Sequence, residues 1–220
     1  MFWLISYVIV GNKRTGSLLY RGFPNDDDRR IFENTIYGQT WPKETVLVLN
    51  IEFEFDIEDI WLVVHNRSGY IHAEEVLKRY MNVLTLSTKF RNYLEKCEFV
   101  IYMNWAPCDK CADVLRDVFD FCAKGSVFFT AFYTSKDKYD SYANYKGWKM
   151  LEKHVTFEFM TKYDYTLLGI TSIRDNKTKD ILYLGTDAIE KSNKKHTRYA
   201  LNKMPSSKMD SVKSFLKTCR

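Results

Sequence analysis

His72 and Glu74 are separated by one residue, and Cys108 and Cys111 by two, with Pro107 directly before the pair. One imidazole and two thiolates make three ligands for zinc, and a catalytic zinc keeps its fourth position for water. The metal lowers the pKa of that water toward neutrality and makes it a usable nucleophile. Glu74 stands beside the ligand set without belonging to it, as a general acid and base would, carrying protons to a leaving group. The chemistry implied is metal-assisted hydrolysis. A Cys-x-x-Cys pair also occurs in structural zinc sites and in redox motifs. A structural site needs a fourth ligand, for which Cys97, Cys122 and His65 are the candidates. Cys97 precedes an apolar strand and reads as core, and Cys122 lies eleven positions after Cys111 on the same helix, pointing away from its first turn. Pro107 ahead of the first cysteine and the accompanying His-x-Glu oppose a redox motif.

The elements that would position these groups are readable. Val76, Leu77, Tyr80, Met81 and Leu84 have helical spacing, so a helix begins near His72. Phe99–Met103 is a continuous apolar run and reads as a buried strand, with Trp105-Ala106-Pro107 as a turn. Cys111, Val114, Leu115, Val118 and Cys122 mark a second amphipathic helix starting around Cys108. All three ligands therefore fall at or just inside helix N-termini, where partial positive charge favours thiolate over thiol.

Upstream, Val46–Phe55 and Ile60–His65 read as strands joined through Asp56–Asp59. Ser126–Tyr133 is another buried strand, residues 138–154 are helical, Val155–Thr161 is a fifth strand and Ser207–Thr218 a final helix. Gly147, inside the helical stretch, costs about 1 kcal/mol relative to Ala. Residues 11–44 carry little pattern, and Asn25–Asp28 reads as a loop. This order predicts an α/β fold with a five-stranded mixed sheet and about six helices on its faces.

At 220 residues and 45% apolar, the chain suits a single domain over 1–220, and its charge and periodicity argue against disorder. The apolar opening, residues 1–10, lacks a basic flank and is too short to span a bilayer, so it reads as a strand. Five cysteines without a secretion signal fit a reducing compartment, cytoplasmic or nuclear and not secreted. The net charge of +5 is unevenly spread. Residues 185–220 hold nine basic against three acidic side chains, and the remainder is close to neutral. Lys191, Lys194, Lys195 and Arg198 lead this excess, either as a solvated face or as an auxiliary phosphate contact or import patch.

The His-x-Glu and Pro-Cys-x-x-Cys blocks together resemble the signature of zinc nucleobase deaminases. Trp105-Ala106-Pro107-Cys108 is similar to the Trp-Ser-Pro-Cys block of the AID/APOBEC polynucleotide cytidine deaminases, with Ala106 in place of Ser and Asn104 in place of Thr or Ser. Lys43–Leu47, Asn66–Gly69, Val127–Tyr133 and Gly147–Thr161 resemble further segments of that family, so the likeness spans about residues 30–165. Trp3–Ser6 and Tyr37–Pro42 resemble its divergent fourth-APOBEC branch and the novel AID/APOBEC-like deaminases.

The resemblance implies a cytidine-deaminase-like three-layer fold, a zinc ion on His72, Cys108 and Cys111, and Glu74 as the catalytic residue. It also implies hydrolysis of cytosine to uracil in single-stranded DNA or RNA, DNA favoured. Trp105 and Tyr133 would wall the base pocket, Thr45 would touch the base or sugar, and Asn66 would hold the sugar–phosphate. Thr134, Ser135, Lys136 and Asp137 would set preference for the flanking nucleotide, and Trp41, Tyr139 and Tyr142 are further candidates for stacking. The competing functions are a free cytidine deaminase and a nucleic-acid-binding protein that keeps zinc for folding alone. Oligomeric state is open, and no membrane partner is expected.

Overall fold

The computed structural model describes residues 8–11, 26–37, 42–53, 59–66, 71–174 and 180–219. Six strands form one mixed sheet: β1 (Val8–Gly11), β2 (Thr45–Glu52), β3 (Asp59–Asn66), β4 (Glu98–Trp105), β5 (Lys124–Ala131) and β6 (Thr156–Phe159). Their order is β1-β3-β2-β4-β5-β6. The pairs β1–β3, β3–β2 and β2–β4 are antiparallel, and β4–β5 and β5–β6 are parallel. The five strands expected from sequence are β2 to β6, and the end of the apolar opening adds a sixth at the edge.

The period of two in a strand sorts the core into two layers. Leu47, Leu49 and Ile51 of β2, with Phe99, Ile101 and Met103 of β4, face one side. There they pack against α2 (Ala73–Leu84), α4 (Asp109–Phe119), α5 (Lys138–Leu151) and α8 (Met209–Thr218). Val46, Val48, Val100 and Tyr102 face the other side, against α1 (Asp26–Tyr37), α6 (Lys162–Leu167) and α7 (Thr186–Asn202). Helix α3 (Thr88–Leu94) and a hairpin of β7 (Ser172–Arg174) and β8 (Ile181–Tyr183) complete the described elements. The result is an α/β architecture with helices on both faces of the sheet. Among the described residues, no helix is long and apolar enough to cross a membrane.

Eight α-helices are present among the described residues, where about six were expected. Asp26, Asp27 and Asp28, expected in a loop, form the first turn of α1, where carboxylates favour the helix N-terminus. Its stripe rests on Phe32 and Ile36, too few apolar residues for periodicity to reveal. The inward face of α7 is Ile189, Ser192, His196 and Ala200, a stripe of mostly small and polar residues. Apolar spacing could not find it. Helices α3 and α6 are each under two turns. Asp59, read as part of a hairpin connection, is the first residue of β3, and Cys122 lies beyond the end of α4.

Candidate metal centre

Strand register brings the site together. Thr45 is paired with Asn66, Leu47 with Met103, and Trp105 with Ala131. The start of β2 and the ends of β3, β4 and β5 therefore lie level at one end of the sheet. Because β4 and β5 are parallel, their carboxyl ends share that edge, where open α/β sheets place their ligand sites.

Helices α2 and α4 both begin there. Their N-cap residues are His72 and Cys108, and neither side chain caps its own helix. N-caps usually satisfy backbone N–H groups with a short oxygen side chain; these two turn toward each other instead. Nδ1 of His72 lies 3.0 Å from Sγ of Cys111 and 3.7 Å from Sγ of Cys108. The three ligand atoms lie within 4.8 Å of one another and form the one such group among the described residues. Nitrogen and sulfur bound tetrahedrally to one zinc, at about 2.0 and 2.3 Å, stand about 3.5 Å apart. The observed separations bracket that value, so the group fits a metal such as zinc.

The fourth-ligand candidates do not join it. Cys97 donates to the Tyr93 carbonyl at 3.1 Å, Cys122 to the Phe119 carbonyl at 3.3 Å, and His65 faces Asp28 at 3.7 Å. Among the described residues, three protein ligands is the full set.

The Cys111 thiol held against Cys108 brings Cys108 down to about 7, while the same contact and burial push Cys111 well above the usual thiol range. Glu74 is 3% exposed, and its Oε2 has no hydrogen-bond partner. Burial raises its pKa above the ordinary carboxyl value.

Two of the three candidate ligands, His72 and Cys108, line a cavity of about 300 Å³ together with Glu74, Lys43, Thr45, Asn66, Trp105 and Tyr133, while Cys111 is buried behind them. Thus all four expected pocket residues stand around the metal group. The ring of Trp105 meets Tyr133 edge to face at 6.4 Å, and its indole N–H donates to the Pro42 carbonyl at 3.2 Å. No protein-family model and no curated protein matches the sequence.

The expected flanking loop is tied down. Ser135 N–H donates to the Ser141 hydroxyl at 3.0 Å, and Asp137 caps α5 by accepting from the N–H groups of Tyr139 and Asp140. Those contacts occupy Ser135 and Asp137, while Lys136 is exposed and Thr134 half-buried. Tyr139 is 78% exposed, but the ring of Tyr142 is approached by the ammonium groups of Lys146 and Lys208, at 5.5 and 5.9 Å from its centroid. Trp41 lies outside the described residues.

Sequence reasoning missed the supports. Asn104, fully buried, accepts from Val46 N–H at 2.9 Å and donates to the Glu44 carbonyl at 3.0 Å, fixing the approach to Thr45. Asn144 accepts from Asp109 N–H at 3.0 Å and donates to the Tyr133 carbonyl at 3.3 Å, so one side chain joins the first turn of α4 to the pocket wall. Trp148 donates to the Pro107 carbonyl at 2.6 Å. Lys43 supplies a cation to the pocket lining. In the sequence, Asn104 stands out only as a departure from the family block.

Proposed function

We propose that the protein is a zinc-dependent hydrolase that converts cytosine to uracil in single-stranded polynucleotide. The observation that carries this reading is a buried carboxylate, Glu74, with one unpaired oxygen, in the lining of a cavity that His72 and Cys108 of the three-residue metal group also line. A structural zinc site has no use for such a group, and leaving it unpaired costs stability.

His72, Cys108 and Cys111 would hold the metal, which when bound supplies an acidified water as nucleophile. The rings of Trp105 and Tyr133 flank the base, while Thr45 and Asn66 hold its sugar and backbone. Glu74 takes a proton from the water as it attacks carbon 4 and delivers it to the ring nitrogen. It then moves the second proton to the amino group, which leaves as ammonia when the carbon–nitrogen bond breaks. Cytosine and water become uracil and ammonia. A raised Glu74 pKa suits both halves of this transfer. Attack on carbon 4 requires a base outside a duplex, which makes single strands the substrate.

The test is a sequencing readout of uracil formed by purified wild-type and Glu74→Gln protein on mixed single-stranded DNA and RNA, with free cytidine as competitor. Uracil in wild-type samples alone is expected. Binding of single strands with no uracil from wild type would instead favour a nucleic-acid-binding protein with structural zinc, and preferential turnover of free cytidine would favour a nucleoside deaminase.

A further inference from the structure

A second cavity, of about 610 Å³, lies at the carboxyl end of β6 with α7 as one wall. It shares no residue with the cavity at the metal centre. Phe159, Ile189 and Leu201 give it apolar surface, and cations stand among them. Lys194 is paired with Glu190 at 3.2 Å, but Lys162 and Arg198 enter no ion pair among the described residues. Binding cavities for small molecules are typically of this size, mostly apolar, with a few convergent polar groups.

The composition selects a ligand class. Lys162 and Arg198 call for an anion, and a guanidinium presents a planar fork of donors suited to phosphate. The apolar residues call for a ring, and Asn193 and Thr197 on α7 offer an amide and a hydroxyl for its polar edge. A fatty acid would leave those polar groups facing hydrocarbon. An inorganic anion would leave the apolar surface wet. Because β6 is parallel to β5, the cavity lies at the same edge of the sheet as the metal centre.

We propose that this cavity binds a nucleotide, with the ring against its apolar lining and the phosphate held by Lys162 and Arg198. The same chemistry is offered by a free mononucleotide and by one unit of a polynucleotide. This gives two members of the basic C-terminal segment, Lys194 and Arg198, a place in a built cavity.

Calorimetric titration of the full chain with adenosine monophosphate, adenosine, inorganic phosphate and a short single-stranded oligonucleotide tests it. The monophosphate is expected to bind at least about tenfold more tightly than adenosine or phosphate alone, and Arg198→Ala or Lys162→Ala to weaken it about tenfold or more. Thr197→Trp, which fills the cavity and keeps both cations, is expected to abolish binding. Circular dichroism checks that each variant is folded. Tighter binding of the oligonucleotide, lost in the same variants, identifies a polynucleotide as the source and supports the site. Affinity for the monophosphate unchanged in Arg198→Ala and Thr197→Trp, phosphate binding as well as the monophosphate, or no binding by either nucleotide form overturns it. Glu74→Gln is expected to bind the monophosphate as wild type does, so failure of the deamination reading and failure of this one are separable.

Discussion

Glu74 and His196 are both buried titratable groups, and burial disfavours the charged form of each in opposite directions. For Glu74 the raised pKa belongs to a site. Glu74→Gln is expected to leave zinc content unchanged and to lower turnover by about 10²–10⁴-fold, read from metal analysis and uracil formation on the same samples. His196 serves structure. Its Nε2 lies 3.2 Å from the Ile36 carbonyl, which also accepts from the Ser192 hydroxyl, so α7 is fastened to the end of α1. Burial lowers its pKa from 6.5 to about 4. A depressed folded value means that the unfolded chain binds the extra proton first, so stability is complete above pH 6.5 and falls as pH drops toward 4. The loss should reach about 2 kcal/mol by pH 5. Urea midpoints of wild type and His196→Gln at pH 7.5 and pH 5 measure it. The variant, which keeps a donor but cannot charge, should show the flatter response, and equal responses would remove His196 from the explanation.

Between elements, the packing of α4 against α5 matters most to the centre. Gly147 is expensive in a helix interior, and its neighbours explain why it is tolerated. A Cβ there would lie 3.0 Å from both Ala112 Cβ and Asp109 Cα, so its absence lets α5 approach the first turn of α4. That approach is what allows Asn144 to reach Asp109 N–H and Trp148 to reach the Pro107 carbonyl. Gly147→Val should force the helices apart at a cost of about 1–3 kcal/mol and loosen the loop that carries Cys108. Thermal melting gives the first quantity, and competition for zinc by a chelator gives the second. A variant with unaltered zinc affinity would show that the two asparagine and tryptophan contacts do not hold the ligands. Lys78 and Asp117, 2.6 Å apart, join α2 to α4 on the outside, but a surface pair adds little.

For the molecule as a whole, the metal group sits at one end of a sheet whose two faces each carry an apolar layer. Two apolar layers cover both faces of the sheet, so removal of zinc should lower the melting temperature without unfolding the chain at 25 °C, unlike the small zinc modules whose fold is the metal site. Far-ultraviolet circular dichroism before and after chelation, with zinc added back, measures this; loss of the sheet signal on chelation would contradict it. The sequence by itself picked out the group that could hold a metal and the carboxylate beside it, because their spacings are local: two positions from His72 to Glu74 at the start of one helix and three from Cys108 to Cys111 at the start of another. It also determined five strands, because a buried strand is an apolar run that needs no knowledge of its partners. Only the tertiary structure decided the strand order, the helices whose inward faces are polar, and the supports of the site. Asn144 meets Asp109, Asn104 meets Val46 and Trp148 meets Pro107 across 35, 58 and 41 positions, and periodicity carries no information about which distant hydrogen-bonding groups will meet.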